Sequence, residues 1–189
     1  MFDFPPPPAG AQAPDRQDKD FVFPAAGWAA SHSMPPGDPR AFDGTGVIFV
    51  CRPAHRHNVF FNNNALQFYA YGQNLNCGGG GDEDPLPFHT ISHNTLLVDG
   101  LGQAFGGTDA YSRPARGGLL AWQVGRDFVY CVGDATHWYP HQPFPVSTWK
   151  VVFDDKVYGR LAVPNLRMFR RHVLFVRKRY VVVLDDLAT

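Results

Sequence analysis

The sequence is poor in cysteine and has no excess of charge of either sign. Its 189 residues include three cysteines, Cys51, Cys77 and Cys131, and such an odd and sparse set excludes a disulfide framework because at most one pair could form. The 17 basic and 17 acidic residues cancel. We therefore expect no nucleic-acid partner, since phosphate binding calls for a clear basic excess.

Long apolar runs are also missing. No stretch approaches the ~20 apolar residues of a membrane span, and the chain does not open with the basic and then apolar segments of a secretory signal. We therefore expect no membrane partner.

Helical periodicity is absent as well, because no segment keeps a 3.6-residue apolar period for three turns. Short β-rich runs separated by Gly, Pro, Asn or Asp take its place. They lie at 27–32, 47–50, 65–71, 95–98, 118–124, 128–132, 148–153, 172–176 and 180–184. Many short strands without intervening helices predict an all-β fold, an antiparallel β-sandwich or a large folded sheet.

The composition divides the chain into two parts. Residues 1–20 contain the run Pro5 to Pro8 and alternating charges, a composition that cannot bury enough apolar surface to order itself. We interpret 1–20 as a Pro-rich linker and 21–189 as the β module. A strong strand ends close to Thr189, which would leave an open sheet edge, so we expect the sheet to be incomplete at the C-terminus.

Two stretches carry histidines next to predicted strands. One is His55-Arg56-His57, and the other is 88–103, in which His89 and His93 lead into the apolar run 96–98 before an Asp-Gly turn signal. Histidines at a strand start can be reached by a ligand. His93 could instead orient its loop through hydrogen bonds.

The run 65–71 alternates, with Gln67, Tyr69 and Tyr71 on one face. That aromatic and polar face suits sugar binding or is the half-exposed side of a sheet. Basic residues gather near the C-terminus and either face an anionic ligand or lie on solvated strand positions. They are Arg167, Arg170, Arg171, Arg177, Lys178 and Arg179.

Six motifs, in their order and spacing, resemble the C-terminal β-sheet module of the heparinase II/III-like polysaccharide lyases, which include oligo-alginate lyases. SHNTLLVDGLGQ at 92–103 is the strongest of them. The others are FPAAGWAASHS at 23–33, HRH at 55–57, NNALQFYAYGQ at 63–73, VGDATHWY at 132–139 and RRHVLFVRKRYVVVLDDL at 170–187.

The resemblance implies a sandwich of the heparinase II/III type and one half of a two-part enzyme. In the family, an N-terminal α/α toroid, absent here, carries a catalytic tyrosine, and the β module adds a histidine to the cleft. Such enzymes cleave beside a uronic acid by β-elimination. The implied partners are the toroid and an acidic polysaccharide, either alginate or a glycosaminoglycan, and the implied location is periplasmic or secreted.

The family motifs also suggest roles for residues of this chain. His55 and His57 would be catalytic, and Asn63, Asn64, Tyr69 and His93 would contact substrate. No cofactor is required, but the resemblance allows a structural zinc held by His57, His93 and Cys77. The acid that the family places after Tyr71-Gly72 is missing, so Cys77 would have to replace it; we expect weak or absent zinc binding.

Two other functions compete with this hypothesis. A non-catalytic carbohydrate-binding or structural β-sandwich is compatible with the missing toroid and the missing acid. A histidine-based metal oxygenase would need an acid near the HxH motif, and this sequence has none.

Overall fold

The computed structural model describes residues 19–34, 38–53, 62–76, 90–98, 102–103, 117–139 and 166–189. In these segments the chain forms two antiparallel sheets, each with its strands in chain order. The first contains β1 (Asp20–Phe23), β2 (Trp28–His32), β3 (Gly46–Val50), β4 (Ala65–Ala70) and β5 (Gln73–Asn74), and the second β6 (Gly118–Val124), β7 (Phe128–Asp134), β8 (Met168–Val176) and β9 (Tyr180–Ala188). The predicted all-β antiparallel fold is confirmed.

The two sheets share one apolar core, which makes the fold a sandwich. Alternate residues of β3 and β4 point toward the second sheet, and Phe68 packs edge-on against Phe175 of β8 with ring centroids 6.5 Å apart. The buried residues of this core are Ala29, Val47, Phe49, Cys51, Leu66, Val129, Cys131, Val173 and Phe175. Burial of apolar area on both inner faces is the main force that holds the sheets together.

A smaller cluster lies at the end of the sandwich where β7 ends and β8 begins. It contains Ala135, Tyr139, Leu166 and Phe169. Leu96 and Val98 pack against it, so the segment that follows His93 is held by apolar contacts.

That segment corrects one sequence prediction. The strand expected at 95–98 does not form: Thr95 lies in a bend, and only Val98 makes an isolated bridge. The Thr95 amide donates to the carbonyl of His93 at 2.9 Å, and the Leu96 carbonyl accepts from the Tyr139 hydroxyl at 2.6 Å. Local and side-chain partners thus replace a strand ladder.

The other predicted strands within the described segments are confirmed, most of them with changed bounds. β6 has the predicted bounds, whereas β8 and β9 are longer than the runs predicted for them, and β1 and β5 were not predicted as strands. Tyr71 is not in β4, because Tyr71 and Gly72 form the hairpin turn with φ of 56° and 71°. The run 148–153 lies outside the described residues.

Cys51 and Cys131 are free thiols in the shared core. Burial raises the pKa of each to about 12, so both are protonated and act as small apolar side chains. In the described segments, no helix is long and apolar enough to cross a membrane.

Candidate functional site

The residues predicted to bind substrate lie at opposite ends of the sandwich. Asn63 and Asn64 precede β4, and the segment of His93 contacts them, whereas Tyr69 lies near the other end of the same strand. His55, His57 and Cys77 lie outside the described residues. The structure therefore does not test whether the histidines converge.

Asn63 is fully buried and is held by three segments. Its side-chain Oδ1 accepts from the Arg52 amide at 2.6 Å. Gln103 pairs with its backbone like a neighbouring strand, since Oε1 accepts from the Asn63 amide at 3.0 Å and Nε2 donates to the Asn63 carbonyl at 2.7 Å. The same carbonyl accepts from the Thr95 hydroxyl at 2.7 Å. The NN and SHNT motifs are thus directly bonded to each other.

Asn64, also fully buried, has a left-handed backbone with φ 59°. Asparagine tolerates this conformation better than most residues. Its Nδ2 donates to the carbonyl of Gly133 at 3.1 Å. A Cβ at Gly133 would lie 2.2 Å from Asn64 Oδ1, so this close approach of the two sheets requires glycine.

Arg171 of β8 completes the cluster. Its guanidinium forms a two-pronged ion pair with Asp185 of β9, with both N···O distances 2.7 Å. Nη1 also donates to the carbonyls of Asn64 at 2.6 Å and Asn94 at 2.7 Å. One buried cation therefore joins both sheets to the SHNT segment, and we call Asn63, Asn64, Asn94, Arg171 and Asp185 the polar junction.

Two neighbours support the polar junction. The Tyr139 hydroxyl donates to the Leu96 carbonyl, and burial raises its pKa to about 12 although nearby Gln103 and Thr95 act in the opposite direction. The Asp134 carboxylate accepts from the Thr136 amide at 2.9 Å and from Arg170 at 3.3 Å. Burial acts to raise the pKa of Asp134, but these hydrogen bonds outweigh it and lower the pKa below its usual range.

His93 is half-buried in the turn between the 3-10 turn Thr90–Ser92 and Asn94. Its amide donates to the Thr90 carbonyl at 3.0 Å. The junction fixes the backbone at Asn94, directly after this histidine. It can therefore hold a histidine-bearing loop in place, which is a positioning role rather than a proton-transfer role.

At the other end, Tyr69 forms a hydrogen bond with Nδ1 of His32, and their ring centroids lie 5.6 Å apart. Burial raises the pKa of Tyr69. Burial, followed by the positive charge of Lys178, lowers the pKa of His32, although Asp20 opposes this. Both side chains are therefore neutral at neutral pH, so this pair can donate and accept hydrogen bonds but carries no charge for an anion.

The sequence did not identify Arg171, Asp185 and Gln103 as central residues. Arg171 was grouped with five other basic residues, and the signal that distinguishes it is the facing Asp185-Asp186 pair in β9. The structure divides that basic group by position. Arg170 and Arg171 lie in β8 near the polar junction and pair with Asp134 and Asp185, whereas Arg177, Lys178 and Arg179 form the β8–β9 turn at the far end.

The predicted zinc site is not tested. Among the described residues there is no group of three His, Cys, Asp or Glu side chains that could hold a metal. Of the three predicted ligands, only His93 is described. Weak or absent zinc binding stays a prediction.

Comparison with solved structures gives a consistent result. The chain matches heparinase III, the BT4657 gene product, with a TM-score of 0.58 and 16% identity over 94% of this chain. It matches the heparan sulfate lyase HepC from Pedobacter heparinus with a TM-score of 0.58 and 17% identity, again over 94%. A further heparinase III structure matches with a TM-score of 0.52 and 19% identity over 91%.

The chain spans only 22–23% of the length of these lyases. No protein-family model matches the sequence, and no curated protein does. The resemblance inferred from the motifs is thus confirmed at the level of the fold: this chain has the β-sandwich of the heparinase III type.

Proposed function

We propose that this chain is the β module of a polysaccharide lyase that cleaves uronic-acid-containing polysaccharides by β-elimination. The supporting observation is the fold, because 94% of this chain aligns with a region that makes up 23% of heparinase III and of HepC. The remainder of such an enzyme would supply the α/α toroid. The acidic polysaccharide is either a glycosaminoglycan or alginate.

The reaction makes three demands on the enzyme. It must neutralise the carboxylate beside C5, remove the weakly acidic C5 proton and protonate the leaving oxygen. Histidine suits either proton transfer because its unperturbed pKa is near neutrality. In this proposal His55 or His57 supplies the cleft imidazole, and the toroid supplies the tyrosine.

The polar junction has a defined part in this proposal. Asn63 and Asn64 have no exposed surface, so they act by fixing the start of β4 and the segment of His93. His93 and Tyr69 are half-buried and keep surface that a sugar can touch. We propose that substrate contacts these two side chains.

A second function is supported by the outer face of the first sheet. Phe21 and Phe23 stack with parallel rings 6.4 Å apart, and Trp28 next to them is 39% exposed under the guanidinium of Arg52. Aromatic rings exposed on the outer face of a sheet suit sugar stacking. A carbohydrate-binding sandwich without catalytic activity is therefore the alternative.

The test begins with the gene upstream of Met1, where a helical region with the family tyrosine is expected. The 189-residue chain and the longer protein are then assayed with heparan sulfate, heparin and alginate by the ultraviolet absorbance of the unsaturated uronate product. The chain alone should be inactive. The longer protein should be active, and His55→Ala or His57→Ala should lower kcat by roughly 100-fold or more.

His172→Ala is the matched control, since His172 lies in β8 and bonds to Tyr130 at 2.7 Å. It should leave activity unchanged. Robust turnover by the 189 residues alone would contradict the two-part enzyme. Full activity in both the His55 and the His57 variants would show that neither histidine serves in the cleft. A gene without a toroid would favour the binding module.

A further inference from the structure

A basic depression lies between two hairpin turns at the end of the sandwich away from the polar junction. The β6–β7 turn and the β8–β9 turn lie side by side there and border an open depression with a volume of about 370 Å³. Its lining consists of Arg126, Asp127, Arg177, Lys178, Arg179 and Tyr180. The volume is within the range of small-ligand sites.

The charge of this depression is strongly positive for a chain that is neutral as a whole. Arg126, Arg177 and Arg179 are exposed, and in the segments that the structure describes none of them has an ion-pair partner. Lys178 is engaged elsewhere, because it contacts Asp20 and donates to the Ser31 hydroxyl at 2.6 Å. Three arginines and one aspartate therefore face the open space.

The backbone holds these arginines in place. The Arg177 amide donates to the Asp127 carbonyl at 2.6 Å, which ties the two turns together, and the Arg179 amide donates to the Val176 carbonyl at 3.0 Å. The Thr45 hydroxyl bonds to the Lys178 carbonyl, so the first sheet also supports the turn. A ligand would meet a shape that is already formed, which lowers the entropy lost on binding.

The β8–β9 turn has Arg177 and Lys178 as its two central residues, and a common type of hairpin turn requires positive φ at both of these positions. Arg177 and Lys178 both have positive φ, 49° and 54°. Such positions normally hold Asn or Gly, which adopt them at lower cost. In this turn they hold cations at the rim of the depression.

We propose that this depression binds the sulfate or carboxylate groups of an anionic polysaccharide chain. Arginine matches such groups because its planar fork donates two parallel hydrogen bonds to their oxygens. Tyr180 is 65% exposed at the rim and offers a ring against which a sugar can pack. The depression lies at the opposite end of the sandwich from His93 and needs no elimination chemistry. The choice of a polysaccharide as its ligand rests on the proposed function.

The test measures binding by calorimetry, with a size-defined heparin hexasaccharide and an alginate hexasaccharide as probes. Arg177→Asn is the principal variant, since asparagine suits the positive φ and the turn should keep its stability. Arg179→Gln is the second. Each should weaken hexasaccharide binding by roughly tenfold, and the pair together should abolish it.

Arg167→Gln is the matched control, because Arg167 is exposed at the start of β8, at the junction end. It should bind as the parent does. Equal loss in Arg167→Gln, or unchanged binding in the double variant, would overturn the proposal. So would equal affinity for inorganic sulfate or for single-stranded DNA. Failure of this test would leave the lyase assay unaffected, because binding and turnover are measured separately.

Discussion

The two ends of this sandwich use arginine in opposite ways. At the polar junction, Arg171 is buried and its guanidinium donates to the Asp185 carboxylate and two backbone carbonyls. At the far end, Arg177 and Arg179 are exposed on a turn whose backbone is fixed. The first arrangement holds the sheets together, and the second leaves charge available to a ligand. Burial and partners, rather than residue type, decide which role an arginine has.

Breaking the buried ion pair should have the largest effect. Arg171→Ala leaves Asp185 and two carbonyls without their donor. Because the Asp185 side chain is 27% exposed, we expect a cost of about 3 kcal/mol, the lower end of the range for loss of one partner of a buried pair. Urea unfolding measures the difference in free energy of unfolding. Arg170→Ala is the neighbouring control: the side chain of Arg170 is 44% exposed beside Asp134, so its loss should cost about 1 kcal/mol or less. Equal costs would show that the junction is no more important than a surface pair.

Substitutions of Asn64 and Tyr71, left-handed residues at the two ends of β4, should each change stability by less than Arg171→Ala does. Asn64→Ala places an alanine, which tolerates a left-handed backbone less well than asparagine, at φ near 59° and removes the hydrogen bond to the Gly133 carbonyl. We therefore expect the free energy of unfolding to fall by about 2–3 kcal/mol. Tyr71→Gly is the counterpart, because Tyr71 has φ 56° but is 84% exposed. It should raise the free energy of unfolding by about 1 kcal/mol or less. Thermal unfolding of both variants tests this contrast.

The smallest expected effect is a pH dependence that originates at the turn end. Burial, and after it the charge of Lys178, lowers the folded-state pKa of His32 below 6.5. The unfolded chain therefore binds the proton more readily. This contribution to stability is present above the unfolded pKa and is lost as the pH falls through the folded pKa.

The melting temperature should accordingly fall as the pH is lowered from about 7 to about 5, and His32→Gln should make the decline shallower. His172→Gln, which keeps His32, should retain the parent decline. An unchanged slope in His32→Gln would show that His32 does not contribute to the pH dependence.

Much of the fold could be predicted because alternation reports directly on which face of a strand is buried. β6 has the predicted bounds, and the inward side chains Leu66 and Phe68 lie on the face that the alternation assigned. The failure at 95–98 has a physical cause. Leu96 and Val98 pack on a small cluster at the end of the sandwich. The Thr95 amide and hydroxyl donate to the carbonyls of His93 and Asn63, and the Leu96 carbonyl accepts from the Tyr139 hydroxyl. An apolar run alone does not reveal such partners.

The candidate site could be predicted only in part. The motifs at 63–73, 92–103 and 170–187 come together in the polar junction, as their resemblance to one module suggests, but the burial of Asn63 and Asn64 depends on Gln103 and Arg171, far away in the chain. The roles of His55, His57 and Cys77 stay predictions because these residues lie outside the described segments.

The order of the strands has a consequence for how the chain folds during synthesis. Each sheet is contiguous in sequence, and the contact between Lys178 and Asp20 joins the first described strand to the last hairpin. All five strands of the first sheet therefore leave the ribosome roughly 10 s before β9 is complete at ordinary rates of translation. During that interval the inner face of the first sheet, with Val47, Phe49 and Leu66, has no second sheet to cover it. A molecular chaperone that shields this face until β7 and β8 arrive would protect the nascent protein from aggregation.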